Sequence, residues 1–273
     1  MTPRHRPWEA AADFQIGLKP IALADWLEGG EADPAARKDV LFDTARGLVW
    51  AETEGSRPGQ AEVCELVDAA LGPAAAPPPD LPPLYAAARR TPDDLCLMER
   101  DAAGQWRLTA LSLSAGSFFT ADEVIGRSLG ELHGPVTGFA ERFLVRVQRI
   151  FEGLRPGLVL ERRNWTVLNS NALHTPSSAA IRARIGGIAS RDAGPALSLR
   201  VERQTLRRLP STGGALFTIR VWLAPLASLA ADPERLAAFA AAWRAATPEL
   251  RAYKRFDLYD DLVECFLADP QPA

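Results

Sequence analysis

Leu197-Ser198-Leu199-Arg200-Val201-Glu202-Arg203-Gln204-Thr205-Leu206-Arg207-Arg208-Leu209, then Pro210-Ser211-Thr212-Gly213-Gly214, then Ala215-Leu216-Phe217-Thr218-Ile219-Arg220-Val221-Trp222-Leu223, reads as two long strands joined by a hairpin. Strand side chains alternate between faces, so Leu199 and Val201 share one face and Arg200, Glu202 and Gln204 the other. A turn centred near Thr212 would set Gln204 opposite Arg220 and Glu202 opposite Trp222, all on one face. A slip of one residue would undo that pairing. Such a row suits either the solvated face of an antiparallel sheet or the polar floor of a pocket. Trp222 in the row favours the buried alternative.

Three further strands are expected outside this hairpin. Leu95 to Arg100 and Trp106 to Ser114 flank the turn Asp101-Ala102-Ala103-Gly104, and Leu158 to Leu168 lies further on. Between them Thr120-Ala121-Asp122-Glu123 is a capping box that opens a helix expected to run to about Leu132, ended by His133-Gly134-Pro135. A second helix is expected from about Val136 to Leu154, with Phe139, Phe143, Val147, Ile150 and Phe151 along one stripe. Asn169 to Pro195 reads as a long polar loop. Two C-terminal helices are announced by Asp232-Pro233 and Thr247-Pro248, each an N-cap followed by proline.

Upstream, residues 1–30 read as an extended lead-in anchored by Trp8, Phe14, Ile16, Leu18, Leu23, Trp26 and Leu27. Pro34 to Leu71 reads as helical with a break near Gly55-Ser56-Arg57-Pro58-Gly59, and residues 73–83 hold six prolines, a stiff connector. The expected class is α+β. It is a PAS-like antiparallel sheet with helices inserted after its second strand, and with added N-terminal and C-terminal helices. The expected divisions are 1–83, the core at 84–228, and 229–273.

Composition narrows the function. The chain has 273 residues, 31 basic against 34 acidic, net −3, 47% hydrophobic and 24% charged. That is the balance of a globular domain, without the basic excess of a nucleic-acid binder. No apolar run is long enough for a signal peptide or a membrane-spanning helix. Cys64, Cys96 and Cys265 are odd in number and far apart, which fits neither a disulfide framework nor a zinc site. A cytoplasmic setting is the expectation. Gly-x-Ser-x-Gly, P-loop, GxGxxG and HExxH motifs are absent.

Three histidines remain as chemistry-bearing candidates, and His5 lies in the N-terminal tail. His133, at a helix end, is either a cation on the helix dipole, worth roughly 0.3–1 kcal/mol, or an axial haem ligand. One imidazole suffices for haem, whereas zinc normally needs three or four ligands. His174 in the long loop is the second choice. Arg162-Arg163-Asn164-Trp165 is unusually polar for mid-strand, which suits an exposed edge or an anion site such as a cofactor carboxylate.

These segments together resemble a known family. Its pattern is carried by Glu99 in Asp94-Leu95-Cys96-Leu97-Met98-Glu99, by Ile125-Gly126-Arg127 with Leu132-His133-Gly134-Pro135-Val136, and by Arg163-Asn164-Trp165. Further matches are Leu199 to Pro210, Phe217-Thr218-Ile219-Arg220 and Ala252-Tyr253-Lys254. The chain resembles the haem-dependent oxidative N-demethylases, the alpha-type subunit of dimethylamine monooxygenase-like systems, from about Gln15 to Lys254.

The resemblance implies a monooxygenase subunit carrying haem b on a PAS fold. It implies oxidation of a small secondary amine by O2 to a primary amine and formaldehyde. Electrons would come from NADPH through a separate reductase subunit with FMN and a 2Fe-2S cluster. A folate-binding subunit would pass the formaldehyde to tetrahydrofolate. On this reading His133 is the iron ligand, and Arg127, Arg142, Arg146 and Arg163 are candidates for the propionates. Glu202 and Arg220 form the polar distal side, with Arg200, Gln204 and Trp222 in support. Where the family has Thr-Tyr after Phe-x-Ile-Arg, this chain has Val221-Trp222, which exchanges a phenol for an indole that can only donate. Two other classes stay open: a haem-binding gas or redox sensor, and a haem-free partner subunit.

Overall fold

A computed structural model of the chain describes residues 5–9, 16–28, 33–73, 78–134 and 143–271. Among these residues seven strands form a sheet: β1 (Lys19–Ile21), β2 (Trp50–Glu52), β3 (Asp94–Arg100), β4 (Trp106–Ser112), β5 (Val159–Leu168), β6 (Ser198–Arg208) and β7 (Ala215–Pro225). Their order is β1-β5-β6-β7-β3-β4-β2. The sheet is antiparallel and the class is α+β, as expected. The five expected strands are all present near their expected bounds, because each carries a long alternating or fully apolar run. The three-residue strands β1 and β2 were not anticipated. They are too short to show a period, and pairing makes them strands: Ile21 against Val159, and Trp50 against Ser112.

The chain divides into two compact units. One comprises Leu18–Arg162 and Arg203–Arg220. In it β3 is covered on both faces. Leu95 and Leu97 enter a core with Trp26, Phe42, Val63, Leu84 and Leu216, while Cys96 and Met98 enter another with Trp106, Leu111, Phe151 and Leu206. That double cover explains why β3 reads as a nearly continuous apolar run. Trp26 is fully buried, donates from Nε1 to Thr205 Oγ1 (3.1 Å) and lies under the Arg207 guanidinium. The expected helical region 34–71 resolves into Pro34–Thr44, Arg46–Val49, β2 and Arg57–Leu71. The prolines end in a helix as well as interrupting one, since Pro83 starts Pro83–Ala88.

The second unit comprises Met1–Gly17, Arg163–Glu202 and Val221–Ala273. Its core is aromatic: Trp8, Trp165, Phe239, Trp243 and Phe256, with Trp243 stacked on Phe256 at 4.1 Å. Asp232 and Thr247 cap helices Pro233–Ala245 and Pro248–Lys254 as expected. A third C-terminal helix, Asp260–Ala268, follows.

One expected element is corrected. The helix foreseen from Thr120 to Leu132 is two single turns, Ala121–Val124 and Leu129–Leu132, each opened by its own capping box: Thr120 with Glu123, and Ser128 with Glu131. Gly126, at φ +75°, turns the chain between them, a conformation open to glycine at little cost. The helix foreseen at 136–154 is described only in its second part, Val145–Gly153; Phe139 lies outside the described residues.

Candidate functional site

The hairpin fixes which side chains share a face. Leu209 N donates to Gly214 O (2.8 Å) and Gly213 N to Leu209 O (3.2 Å), with Gly213 at φ +73°. Glu62 clasps the turn, accepting from the amides of Ser211 and Thr212 and from the Thr212 hydroxyl. Burial pushes the Glu62 acid up, but these donors outweigh it and hold the acid below its ordinary range. Leu209 opposite Gly214 puts Thr205 opposite Thr218, and their hydroxyls meet at 2.6 Å. In that register Arg203 faces Arg220, and Glu202 faces Val221. The expected register was one residue away. Arg220 therefore leaves the face of Gln204 and joins that of Thr205, and Trp222 packs instead against the aromatic core, edge-on to His5 at 5.0 Å.

In the unit that holds residues 163–202, Arg200 and Glu202 stay together on one face of β6. Arg200 Nε donates to Glu202 Oε1 at 3.0 Å and Nη1 to Leu173 O at 3.3 Å. The Arg200 side chain is 3% exposed and that of Glu202 17%. Asn164 Nδ2 donates to Glu202 Oε2 (3.3 Å), and Asn164 Oδ1 accepts from Lys254 Nζ (3.0 Å). Asn164 and Lys254, both inside the quoted family pattern, had no role assigned from the sequence. Arg163 is exposed. Within the same unit Asn169, Ser170, Thr175, Arg184 and Ser198 line a cleft of about 630 Å³.

In the other unit His133 ends the turn Leu129–Leu132, and its Nδ1 lies 2.8 Å from Leu129 O. A carbonyl only accepts, so Nδ1 carries the proton and Nε2 the lone pair. Burial pulls the His133 pKa down and the Arg162 charge adds to that, against the pull of the Leu129 carbonyl. A single-turn helix has little dipole to hold a cation, and a ring kept neutral does not act as one. The residues present fit a haem. In chemistry they offer one imidazole with its tautomer fixed, at the end of the turn whose Leu129 and Leu132 belong to an apolar cluster with Leu144, Val147, Ile150 and Phe151. Of the arginines proposed for the propionates, Arg127 and Arg146 are exposed, and Arg142 lies outside the described residues.

Sequence reasoning missed a buried charge network on the other face of β6. Arg203, 1% exposed, donates from Nε to Glu161 (2.5 Å), from Nη1 to Trp26 O and from Nη2 to Asp25 O, and pairs with Glu28 at 3.2 Å. Asp93 is fully buried; it accepts from the Thr91 hydroxyl, and its backbone carbonyl accepts from Lys38 Nζ at 2.6 Å. Burial pushes the Asp93 acid up, opposed by Thr91 and by the charges of Arg220, Lys38 and Arg203. The Arg220 charge thus acts on Asp93, on the Thr205 side of the hairpin. A signal was present, since Arg203 sits in the apolar phase of β6 with Leu199 and Val201.

Among the described residues no helix is long and apolar enough to cross a membrane. No curated protein matches the chain. Residues 60–264 match the family model HODM_asu-like, described as haem-dependent oxidative N-demethylase, alpha subunit-like. The match takes in most of the chain, and the chain belongs to that family.

Proposed function

We propose that this member of the haem-dependent oxidative N-demethylase alpha-subunit-like family oxidises a small secondary amine of the dimethylamine class. Dimethylamine, O2, two protons and two electrons give methylamine, formaldehyde and water, so one oxygen atom leaves in each of the last two products. The observation that carries the reading is His133, a neutral imidazole whose Nδ1–H is committed to Leu129 O and whose Nε2 holds the lone pair. Haem held there would supply the activation of O2. Support for a PAS-like core comes from the sheet. Its five long strands lie in the spatial order β4-β3-β7-β6-β5, with helices inserted between β4 and β5.

Glu202 takes the role of counter-charge to the amine. A secondary amine is cationic at neutral pH, and an apolar pocket rejects a cation that finds no carboxylate. The Glu202 carboxylate already accepts from Arg200 and Asn164, and a carboxylate of this kind is the acceptor an ammonium N–H requires. Arg200 fixes the rotation of the carboxylate through its Nε–H, and Gln204 extends the polar row. Arg220, on the face of Asp93, is a structural charge in this reading.

The alpha-subunit-like description fits a chain that works with others. In the proposal its electrons come from NADPH through a reductase with FMN and a 2Fe-2S cluster, and its formaldehyde passes to tetrahydrofolate on a further subunit, in the cytosol. The test is optical. Haem-loaded wild type is expected to show a Soret band of a histidine-ligated haem, and His133→Ala to lose it or shift it. A normal band in His133→Ala, lost instead in His174→Ala, would overturn the ligand assignment.

A further inference from the structure

The carboxylate proposed to receive the amine is held by an amide, and an amide can turn either end toward it. Asn164 would present Oδ1 to Glu202 as easily as Nδ2, and that orientation sets two acceptors against each other. A cation fixes the choice. Lys254 Nζ lies 3.0 Å from Asn164 Oδ1 and 2.5 Å from Trp165 O. An ammonium only donates, so it claims the carbonyl end of Asn164 and leaves the NH2 end to face Glu202 Oε2 at 3.3 Å. The lysine is itself placed by aromatic faces, 5.0 Å from the Trp165 ring centroid and 5.9 Å from that of Phe256. It enters from helix Pro248–Lys254, whose start is fixed by the Thr247 cap.

We propose that Lys254 is a positioning residue that acts through Asn164 to keep Glu202 a fixed, ionised acceptor for the substrate ammonium. The inference rests on the reading of Glu202 as the amine's counter-charge. Lys254 touches no reacting atom in it. Only three lysines occur in the chain, against a large excess of arginine, so a lysine here is a departure from the usual choice of cation. Its compact ammonium suits a space between an amide oxygen, a backbone carbonyl and two aromatic faces, where a planar guanidinium would demand more room.

The test uses the full chain loaded with haem, with two readouts. The first is the side-chain NH2 resonance pair of Asn164, assigned by its loss in Asn164→Ala. It is expected to move in Glu202→Gln and also in Lys254→Met, which keeps the aliphatic stem over Trp165. Lys254→Arg is expected to restore part of the wild-type position. The second readout is calorimetric binding of dimethylammonium, expected to weaken about tenfold in Lys254→Met, the scale of one charge-assisted hydrogen bond. In an Asn164→Ala background the Lys254→Met change should have no further effect. If the Asn164 resonance moves in Glu202→Gln but not in Lys254→Met, or if the two substitutions weaken binding additively, Lys254 acts only by packing and the proposal is wrong. If the resonance responds as expected while Glu202→Gln leaves dimethylammonium binding unchanged, the relay exists, and the role assigned to Glu202 is what fails.

Discussion

Two arginines three residues apart on β6 meet carboxylates in different ways. Arg203 serves Glu161, Glu28 and two backbone carbonyls of the N-terminal segment, Asp25 O and Trp26 O. Two carboxylates and two carbonyls surround it, which is the arrangement of a tie: it holds Asp25 to Glu28 in place. Arg200 donates to the carboxylate of Glu202, whose other oxygen accepts a long bond from the neutral amide of Asn164. The first cluster gathers backbone carbonyls and carboxylates around one cation, and the second joins a cation, a carboxylate and an amide. The contrast separates a charge kept for structure from one kept for a ligand, although both pairs are largely out of water.

The largest effect should come from Arg203→Met. It strands Glu161 and Glu28 without their cation, and breaking a buried pair from one side costs about 3–5 kcal/mol. Urea unfolding measures it, and a loss under 1 kcal/mol would erase the distinction drawn between the two arginines. Glu202→Gln should do the reverse. Folding stability should fall by less than in Arg203→Met, because the Gln amide oxygen still accepts from Arg200, while dimethylammonium binding weakens by roughly 10–100-fold, the scale of a lost hydrogen bond to a charged group. Equal losses of stability in both variants would show that the two clusters do the same work.

Asp93 sharpens the comparison through pH. Its acid is raised in the fold by burial, so the native state binds a proton more readily than the unfolded chain. Stability then falls as pH rises from the unfolded value, near 3.8, toward the raised native one. Asp93→Asn should remove part of that fall in unfolding experiments repeated across acidic to neutral pH, and an unchanged profile would count against it. Glu62 works with the opposite sign. Its acid is depressed overall, so its contribution is present above the unfolded value near 4.5 and is lost as pH falls through the lower native one. Glu62→Gln should cost about 0.5–1.5 kcal/mol at neutral pH and less in acid.

Much of this was legible in the residues. Five strands followed from alternating or continuous apolar runs, and the caps at Asp232 and Thr247 from their proline neighbours. The second capping box, Ser128 with Glu131, was as readable as that of Thr120 with Glu123, and it marks the break that a single long helix hid. The register was not readable. It depends on which residue of Pro210-Ser211-Thr212-Gly213-Gly214 takes the positive φ, and two glycines compete for that place. Lys254 meeting Asn164, and Lys38 meeting Asp93, join residues far apart in the chain, and no local period encodes such a meeting. Arg203 shares the phase of Leu199 and Val201, a signal of a buried cation that sequence reasoning missed and that names none of its partners.

The glycine at 213 has a consequence for how this sequence can drift. With it in the turn, β6 delivers its odd-numbered side chains to one side and its even-numbered ones to the other. Insertion or deletion of one residue between Leu209 and Gly214 would keep the hairpin and shift β7 by one against β6, sending Arg220 to the face of Gln204. Most surface loops tolerate length changes cheaply. This one counts, so its length is as constrained as any buried residue, and relatives that vary it should differ by compensating bulges within β6 or β7 rather than by a plain longer loop.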